Sequence, residues 1–499
     1  MSLNFFYINL YPVLIELFLG LIVCFCLIFG ASYSNSNFFH FPLAAKCIRF
    51  FVLQGLFLSF ILLLNSVPFY FSFWNKLLLC DSFAFYGKFL IFFFSISWML
   101  IWQTNLKILN FEFWILILLS IIALNLLIQA NDLLSIYLFI EFLSLTFYIL
   151  TSINRNSEFS TESGLKYFIL GAFASSLLLF GFTLIYNFTG LTNLPDLLIF
   201  FTGYSPNYFL TLDKGLFLAI ICVLTAILFK LGAAPFHLWV PDVYEGAPTI
   251  ITSFFAILPK ITILILLIRF VFNSFGDFMY YEIYLYLIMS TFLSSLIGTA
   301  GAFLQSKWKR FVAFSSISHL SFFLLNLCVL NTTNLVNLVI YLIIYLIMSS
   351  QFFSFFSFFK KFQFPKIISP RFFNSLTFLN ITNPLLAICF TLSLFSFAGI
   401  PPLAGFFSKF FVFYSAISSQ FFFLSISLLG LNCISCFYYI NLIKKNYFND
   451  LSTSYLSVMY APAQNTNLWI LSSFSFLILF LDFDFVLLFS NLMCSTFLN

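Results

Sequence analysis

The sequence predicts an all-α polytopic membrane protein, and three observations lead to that class. Of the 499 residues, 62% are hydrophobic and only 7% are charged. A soluble domain carries roughly a quarter charged residues, so this chain has too few to cover a water-facing surface. About fourteen apolar stretches have the length of roughly 20 residues that a membrane helix needs. Because backbone groups must be bonded internally in lipid, these spans are predicted to be helices.

The predicted spans follow one another along the whole chain, and no soluble domain is expected. The N-terminal stretch lacks the basic region and cleavage site of a signal peptide, so we expect it to be the first span. The connector 359–384 is basic and is predicted to lie on the inner surface or to form a solvated loop. The predicted limits are 9–30, 48–66, 83–103, 112–130, 133–151, 165–188, 215–236, 249–272, 283–303, 311–330, 335–358, 385–413, 419–442 and 468–490.

Basic residues lie mainly in the odd-numbered loops between these spans, whereas the even-numbered loops contain mostly acidic residues. The positive-inside rule therefore predicts that the odd-numbered loops face the cytoplasm or an organelle's matrix or stroma, and that both termini face outward. The basic residues of the odd-numbered loops are Lys46, Arg49, Lys107, Arg155, Lys166, Lys307, Lys309, Arg310, Lys360, Lys361, Lys366, Arg371, Lys444 and Lys445.

A few ionisable residues lie inside predicted spans. A charge at mid-bilayer costs about 2.5–3.5 kcal/mol on insertion scales, so it normally faces a partner or a wet cavity. Lysines near a span end can instead snorkel to the surface, and a core histidine can be purely structural. Glu16 lies in the first span without an evident partner, and no role is assigned to it. The candidate functional residues are Glu141, Lys166, Lys230, Lys260, Lys409, His237 and His319.

Two of the spans are interrupted by helix-breaking residues. Span seven contains Gly232 and Pro235, and span twelve contains Gly399, Pro401 and Pro402. A break at membrane depth is tolerated where it lines a cavity or is buried in protein, and paired breaks indicate repeated halves. Five spans in each half would give the halves opposite topology. We therefore predict two inverted five-helix repeats with broken helices 7 and 12.

This arrangement predicts four segments of the chain. They are the N-terminal helices 1–3 in residues 1–108, a first repeat of helices 4–8 in 109–272, a second repeat of helices 9–13 in 273–445, and a C-terminal helix 14 in 446–499. The pair Cys433 and Cys436 lies in span thirteen. Because no companion ligands lie nearby, we expect buried free thiols rather than a metal or redox pair.

Buried lysines and a buried carboxylate suit proton movement. Desolvation favours a neutral amine, and a nearby carboxylate favours the ammonium form. At an effective dielectric constant of about 20, charges about 4 Å apart interact by about 4 kcal/mol. Moving one charge against 100 mV takes about 2.3 kcal/mol, so such a pair is energetically adequate for a pump. The chain has no dinucleotide-binding motif, no P-loop and no cysteine cluster, and its net charge of +5 gives no reason to expect nucleic-acid binding.

Several motifs together resemble one family. KLGAAPFHLWVPDVYEGAPT (230–249), FAILPKIT (255–262), ESGLKYFILGAFASSLLLFG (162–181), KRFVAFSSISHLSF (309–322) and FAGIPPLAGFFSKF (397–410) are the stretches that carry the likeness. They are similar to the antiporter-like membrane subunits of respiratory complex I, NADH:ubiquinone oxidoreductase. The DVYEGAPT element resembles chain 2 and its bacterial counterpart, the N chain, more than the sister chains 4 and 5.

The resemblance implies a role for each candidate residue. Glu141 matches the glutamate of the fifth helix, and Lys230 matches the lysine of the broken seventh helix with which it pairs. Lys166 and Lys260 match the lysines of the sixth and eighth helices, and Lys409 matches the outlet-side lysine of the twelfth. The family places water-chain histidines where His237 and His319 stand.

The resemblance also implies a setting. A proton-translocating membrane-arm subunit carries no cofactor, while FMN, iron–sulfur clusters and ubiquinone belong to partner subunits. Expected partners are chain 4, small membrane subunits and lipids such as cardiolipin, with no nucleic acid. The expected location is the mitochondrial inner membrane, with an organelle-encoded chain and both termini in the intermembrane space. Open alternatives are a plastid subunit of the ferredoxin-linked dehydrogenase, a stand-alone cation/proton antiporter subunit, and a purely structural subunit.

Overall fold

The protein is almost entirely helical where a computed structural model describes it. The described residues are 10–34, 43–102, 110–203, 210–275, 283–329, 331–358, 360–363, 366–368, 370–376, 379–448, 459–460 and 483–498. Among them, twelve helices are long and apolar enough to cross a membrane. The predicted class, a helical polytopic membrane protein, is therefore confirmed.

Eighteen α-helices and five short strands occur in the described residues, and their bounds in chain order follow. The helices are α1 Leu14–Ser34, α2 Leu43–Leu64, α3 Ser82–Ile101, α4 Phe111–Gln129, α5 Leu133–Thr151, α6 Glu158–Thr189, α7 Leu194–Thr202, α8 Leu210–Leu231, α9 Trp239–Gly246, α10 Thr249–Phe270, α11 Ile283–Phe303, α12 Trp308–Cys328, α13 Thr332–Phe358, α14 Leu379–Thr382, α15 Pro384–Ala398, α16 Ala404–Ser418, α17 Phe422–Tyr447 and α18 Asp484–Leu498. The strands are β1 Phe71–Phe73, β2 Leu78–Cys80, β3 Lys360–Gln363, β4 Lys366–Ile368 and β5 Met459–Tyr460.

The chain folds as two compact units. Unit 1 comprises Met1–Leu231, Gly246–Tyr284 and Leu492–Asn499, and unit 2 comprises Gly232–Glu245 and Leu285–Asn491. The chain leaves unit 1 directly after Leu231, at the first predicted helix break. The predicted inverted repeats, with limits at 109–272 and 273–445, stay a prediction.

Helix α10 is the most enclosed element of unit 1. Every residue from Ile250 to Phe270 is buried, and the helix packs against α3, α4 and α8. Its sequence is apolar all the way round, as expected of a helix with no lipid-facing side. Lys260 is therefore held on the central helix of this unit, 5% exposed, next to the intrahelical Pro259.

Helices α12 and α13 form the most buried part of unit 2. Nearly all side chains of α12 from Trp308 to Cys328 are enclosed, including the ionisable His319. Helix α13 packs against α12, α15 and α16. This packing places the two halves of the second broken helix beside the helix that carries His319.

The connection between spans four and five is a tight turn, and hydrogen bonds of Asp132 fix it. Asp132 caps α5 by accepting a hydrogen bond from the backbone N–H of Leu134 over 2.9 Å. Its other carboxylate oxygen accepts from the hydroxyl of Thr192 over 2.8 Å. The cap satisfies N–H groups that would otherwise lack an acceptor at the start of the helix.

Several details differ from the predicted spans. Span six begins earlier, at Glu158, and the short helix α7 follows it. The connector 359–384 contains an antiparallel pairing of β3 with β4 rather than a plain loop, and β1 pairs with β2 ahead of α3. These strands are too short for a hydropathy pattern to predict. Of the fourteenth predicted span, residues 468–482 lie outside the described residues.

Candidate functional site: buried lysines at two interrupted helices

Both predicted helix breaks are present, and they are built alike. At the first break, α8 ends at Leu231, and the chain turns at Gly232 with a φ of 78° before a cis peptide bond at Pro235. In unit 2, α15 ends at Ala398, and Gly399 has a φ of 80° ahead of a cis bond at Pro402. Such positive φ values favour glycine because a Cβ atom would be strained there. Each break lies close to one buried lysine.

Lys230 and Glu141 form a half-buried pair of charged residues in unit 1. Lys230 is the penultimate residue of α8, its ammonium nitrogen is enclosed, and it has no hydrogen-bond partner among the described residues. The carboxylate of Glu141, at the middle of α5, interacts with it electrostatically. One carboxylate oxygen of Glu141 accepts a hydrogen bond from Ser144 over 3.2 Å, and the other has no partner in the described part of the chain. The pair is close enough to interact but does not form a direct ion pair.

The other two candidates of unit 1 have different surroundings. Lys260 is buried on α10, as described above. Lys166 lies on an exposed part of α6, where its side chain is 45% exposed and pairs with Glu162 over 2.8 Å. The structure thus brings together Glu141 and Lys230, whereas the roles of Lys166 and Lys260 stay predictions.

Lys409 is the buried cation of unit 2. Its ammonium donates hydrogen bonds to the carbonyl oxygens of Phe397 at 2.8 Å and Ala398 at 3.0 Å. It also donates to the side-chain oxygen of Asn432 at 2.7 Å. Because α15 stops at Ala398, its last carbonyls have no N–H partner in their own helix, and a cation is favoured at such a terminus. The break therefore supplies the acceptors for this lysine.

His319 lies in the same polar region as Lys409. Its Nδ1 is 2.7 Å from the hydroxyl of Tyr341, and its Nε2 is 3.5 Å from the hydroxyl of Tyr439. His319, Lys409 and Asn432 line one small cavity. The cavity volume is about 10 Å³, which is the room that one water molecule needs. The imidazole and the ammonium group thus border the same small polar space.

His237 is not among the residues that line this cavity. It lies between the break and α9, is 8% exposed, and its Nδ1 has no partner among the described residues. Burial lowers the pKa of His237, while a hydrogen bond with the backbone of Pro235 raises that pKa. Its predicted place in a water chain stays a prediction.

The surroundings of α9 contain further charges that the sequence motifs did not connect. Arg310 at the start of α12 pairs with Asp242 over 3.1 Å and with Glu245, and Lys307 also pairs with Glu245. These four side chains are partly exposed, so each pair is worth little energy by itself. They join the short helix α9 to the beginning of α12 within unit 2.

Some expectations need correction, and some functional side chains were missed. Cys433 and Cys436 are free thiols as predicted, but neither is fully buried, since Cys433 is exposed and Cys436 is half-buried. Glu16 does have a partner, because Lys88 forms a buried ion pair with it. Tyr341, Tyr439 and Asn432 were not predicted. An amide in the apolar stretch LLGLNCISCFYYI was a usable signal, whereas tyrosines are too frequent in this chain, 24 in all, to stand out.

Comparisons with known proteins agree with the motifs. A family model described as NADH:quinone oxidoreductase/Mrp antiporter, TM, matches residues 130–435. NADH-ubiquinone oxidoreductase chain 2 of Marchantia polymorpha is 36% identical over 479 residues, which are 95% of each chain. NADH-quinone oxidoreductase subunit N 1 of Rhizobium meliloti is 36% identical over 377 residues, 74% of this chain and 76% of that one.

Solved structures share the fold. A chain of respiratory complex I from Thermus thermophilus with bound aureothin superposes with a TM-score of 0.77 and 25% identity, over 95% of this chain and 98% of that one. A chain of the Mrp complex from Dietzia sp. DQ12-45-1b gives a TM-score of 0.81 at 18% identity, over 98% and 97% of the two chains. The second likeness concerns the fold alone.

Proposed function

The chain belongs to the NADH:quinone oxidoreductase/Mrp antiporter family of membrane subunits, and from this premise we propose that it translocates protons. It does so as the antiporter-like chain 2, or N, subunit in the membrane arm of NADH:ubiquinone oxidoreductase. Quinone reduction in partner subunits supplies the energy. In this proposal the protons are held and passed by Glu141, Lys230, Lys260, His319 and Lys409, and Lys166 and His237 connect this relay to water.

One observation carries the proposal: Lys230 is enclosed, has no hydrogen-bond partner among the described residues, and lies within electrostatic reach of Glu141. When the ammonium form of a lysine is stabilised only by a neighbouring charge, its affinity for the proton falls strongly once that charge is neutralised or moves away. A direct ion pair would bind the proton more rigidly. One carboxylate oxygen of Glu141 has no hydrogen-bond partner among the described residues, so no protein donor occupies it.

The helix breaks allow the hydrogen bonds of the relay to be exchanged. At each break the backbone polar groups need other partners, and these can be water or a lysine. In unit 2 Lys409 is such a partner for Phe397 and Ala398. In this proposal, protonation of Lys409 favours these bonds, and loss of the proton releases the carbonyls to water in the cavity beside His319.

The energy scale fits a pump. At an effective dielectric constant of about 20, the attraction between a carboxylate and an ammonium falls from about 4 kcal/mol at about 4 Å to about 2.4 kcal/mol at about 7 Å. Moving one proton charge against 100 mV takes about 2.3 kcal/mol. A change in the state of Glu141 could therefore drive one proton from Lys230 against such a potential.

The proposal includes the chain's surroundings. FMN, iron–sulfur clusters and ubiquinone are bound by partner subunits, and this chain performs no redox chemistry. Its neighbours are chain 4 and small membrane subunits, with cardiolipin among the lipids. The location is the mitochondrial inner membrane, with both termini in the intermembrane space. The uneven distribution of basic residues supports this orientation through the positive-inside rule.

The test replaces Lys230 by methionine in the assembled complex. NADH oxidation and proton uptake are measured together in sealed membrane vesicles, and assembly is checked by native gel electrophoresis. We expect at least about tenfold slower proton uptake, which corresponds to a barrier higher by about 1.4 kcal/mol. Lys214→Met is the matched control, because Lys214 lies on the same helix but is exposed.

Three other results would contradict the proposal. Normal proton uptake by Lys230→Met would exclude the relay. Loss of assembly alone, with normal pumping by whatever complex forms, would favour a structural subunit. Sodium transport by the purified chain without its partners would favour a stand-alone antiporter. Glu141→Gln should behave like Lys230→Met if the pair acts as one unit.

A further inference from the structure

Unit 1 contains a second group of buried charges, and the relay described above does not use it. Glu16 on α1 pairs with Lys88 on α3, and their side chains are only 2% and 4% exposed. Asp81, which caps α3, pairs with Arg269 on α10 over 2.7 Å, at 2% and 1% exposed. Full charges this deeply buried are expensive, and within a membrane they usually mark a functional site.

The four charged residues form one cluster. Cys80 on β2 interacts electrostatically with all four of them. Two carboxylates and two cations give the cluster no net charge when all are ionised. Asp81 and Arg269 lie near helix ends that adjoin even-numbered loops, and Glu16 lies near the N-terminal end of α1, which is predicted to be on the same side, so the cluster belongs to one end of unit 1. By the positive-inside rule this is the predicted outer end.

Parts of this cluster have no hydrogen-bond partner. The second carboxylate oxygen of Glu16, the side-chain oxygen of Gln129 and two nitrogens of Arg269 are enclosed without a partner among the described residues. Gln129 is 2% exposed, and its amide nitrogen donates to the carbonyl of Pro12 and to the sulfur of Cys80, each at 3.3 Å. Buried polar groups are normally satisfied, and ordered water is the usual partner where protein supplies none.

A large cavity reaches the cluster. Its volume is about 730 Å³, and Lys88, Asp81, Cys80 and Gln129 are among its lining residues. The remaining lining is mainly apolar, from the segment before α1, the end of α2 and the stretch leading to β1. The volume is far above that of one water. Lys88 therefore touches both the cavity and the enclosed Glu16. Lys88 lies about 9 Å along the axis of α3 from the first residue of that helix.

We propose that the Glu16–Lys88 pair is a second proton-exchange site, in which Glu16 takes up a proton from water in this cavity through Lys88. The inference rests on the proposed proton-translocating function and adds a site at the predicted outer end of the chain. Lys88 is the connecting group because its ammonium pairs with the Glu16 carboxylate and the same residue lines the cavity.

The proton balance is simple. Lys88 gives one N–H proton to a Glu16 oxygen, so an N–H bond breaks and an O–H bond forms. The neutral amine then takes a proton from a hydronium ion in the cavity, which becomes water. The net result is one proton taken up, a neutral carboxylic acid and an unchanged ammonium. The charge of the cluster rises from zero to +1, and release reverses both steps.

The charged groups of the cluster determine how readily Glu16 takes up a proton. Lys88 and Arg269 oppose the extra positive charge, whereas the carboxylate of Asp81 favours it. Cys80 stays a neutral thiol, since burial raises its pKa to about 11. Tyr11 lines the cavity, and the end of α2 contributes the apolar Leu62 and Leu63. Movement of Arg269 away from the cluster would thus promote proton uptake, and its return would promote release.

The test follows the protonation of Glu16 itself. Infrared difference spectra of the purified complex are recorded as the pH is lowered, in the region of the carboxylic acid C=O stretch. We expect the wild type to show a band that Glu16→Gln lacks. Glu158→Gln is the matched control, because Glu158 is an exposed acid at the start of α6 and its removal should leave the band unchanged.

A structural role of the pair gives different results. If the band persists in Glu16→Gln, or is lost equally in Glu158→Gln, the proposal is overturned. If Glu16→Gln does not assemble, the neutral double variant Glu16→Gln/Lys88→Met replaces it, and the same two outcomes decide. Normal pumping by Lys230→Met would contradict the proposed function. A carboxylic acid band that persists in Glu16→Gln would contradict only the second proton-exchange site.

Discussion

Asn432 accepts a hydrogen bond from the ammonium group of Lys409 over 2.7 Å, and this bond joins α17 to the second half of a broken helix. The same ammonium reaches back to the first half, through the carbonyls of Phe397 and Ala398. Three acceptors from two other helices thus surround one cation. This arrangement explains how an ammonium group can be enclosed in unit 2 without a carboxylate as its ion-pair partner.

The bond to Asn432 should matter for proton occupancy of Lys409. Replacing Asn432 by leucine removes one of three acceptors in a buried site, and a hydrogen bond to a charged group is worth about 1.5–3 kcal/mol. The ammonium form loses that stabilisation while the neutral amine does not. We expect proton pumping to fall about 10- to 100-fold in Asn432→Leu, with NADH oxidation and proton uptake measured in the same vesicles.

A neighbouring residue provides the control for this change. Cys433 lies next to Asn432 on α17 but is exposed, so Cys433→Ala should pump normally. Asn432→Asp should also impair pumping, because a carboxylate would hold the ammonium too tightly. Normal rates in Asn432→Leu would mean that Lys409 does not need this acceptor.

The contact between His319 and Tyr341 gives a second prediction. The tyrosine hydroxyl lies 2.7 Å from Nδ1 and can donate to this nitrogen or accept from it, depending on the tautomer of the imidazole. Tyr341→Phe keeps the ring packing but removes this hydrogen bond. We expect slower proton uptake by a factor of about 10, equal to the net value of roughly one buried hydrogen bond, with assembly unchanged.

An exposed tyrosine serves as the comparison for Tyr341→Phe. Tyr414 is 66% exposed on α16, so Tyr414→Phe should not change proton uptake. If both variants pumped like the wild type, the hydroxyl of Tyr341 would have no part in the relay. If both were impaired equally, the effect would come from a general change in the membrane arm.

The close approach of the two half-helices in unit 2 depends on Gly405. A Cβ atom at this position would lie directly against the backbone carbonyl of Ser396, which cannot move independently of α15. Gly405→Ala must push the half-helices apart, and overpacking of this kind costs about 1–3 kcal/mol. We expect a lower temperature of thermal unfolding and reduced pumping, since Lys409 lies one turn further along α16.

Gly430 is the matched control for Gly405. A Cβ atom there would meet nothing within 4 Å, and the residue lies inside α17. Gly430→Ala should therefore be neutral or stabilising by up to about 1 kcal/mol, because alanine is the better helix former. Equal thermal stability of the two alanine variants would contradict the close packing at Gly405.

Features that depend on local pattern could be predicted from the sequence. Hydropathy predicted where the helices lie, and the glycines and prolines at Gly232, Pro235, Gly399 and Pro401 marked both breaks. Glu141 also stood out, because a carboxylate at the centre of an apolar span has no local explanation. These signals are contained in short stretches of sequence and do not require knowledge of helix packing.

Features that depend on packing could not be predicted. The Glu16–Lys88 and Asp81–Arg269 pairs join residues that are far apart in the sequence, and only the arrangement of α1, α3 and α10 brings them together. Lysines near span ends are equally compatible with snorkelling. For the same reason, Lys166 could not be known from its motif to lie on an exposed part of α6.

The cap on α5 leads to a prediction about stability. Asp132 accepts hydrogen bonds from the N–H of Leu134 and the hydroxyl of Thr192, and it is 5% exposed. Asp132→Ala leaves both donors without this acceptor, and loss of a cap costs about 0.5–2 kcal/mol. We expect a lower thermal unfolding temperature. Asn110→Ala is the control, since Asn110 precedes α4 without a side-chain capping bond, and equal unfolding temperatures for the two variants would show that the Asp132 cap contributes nothing.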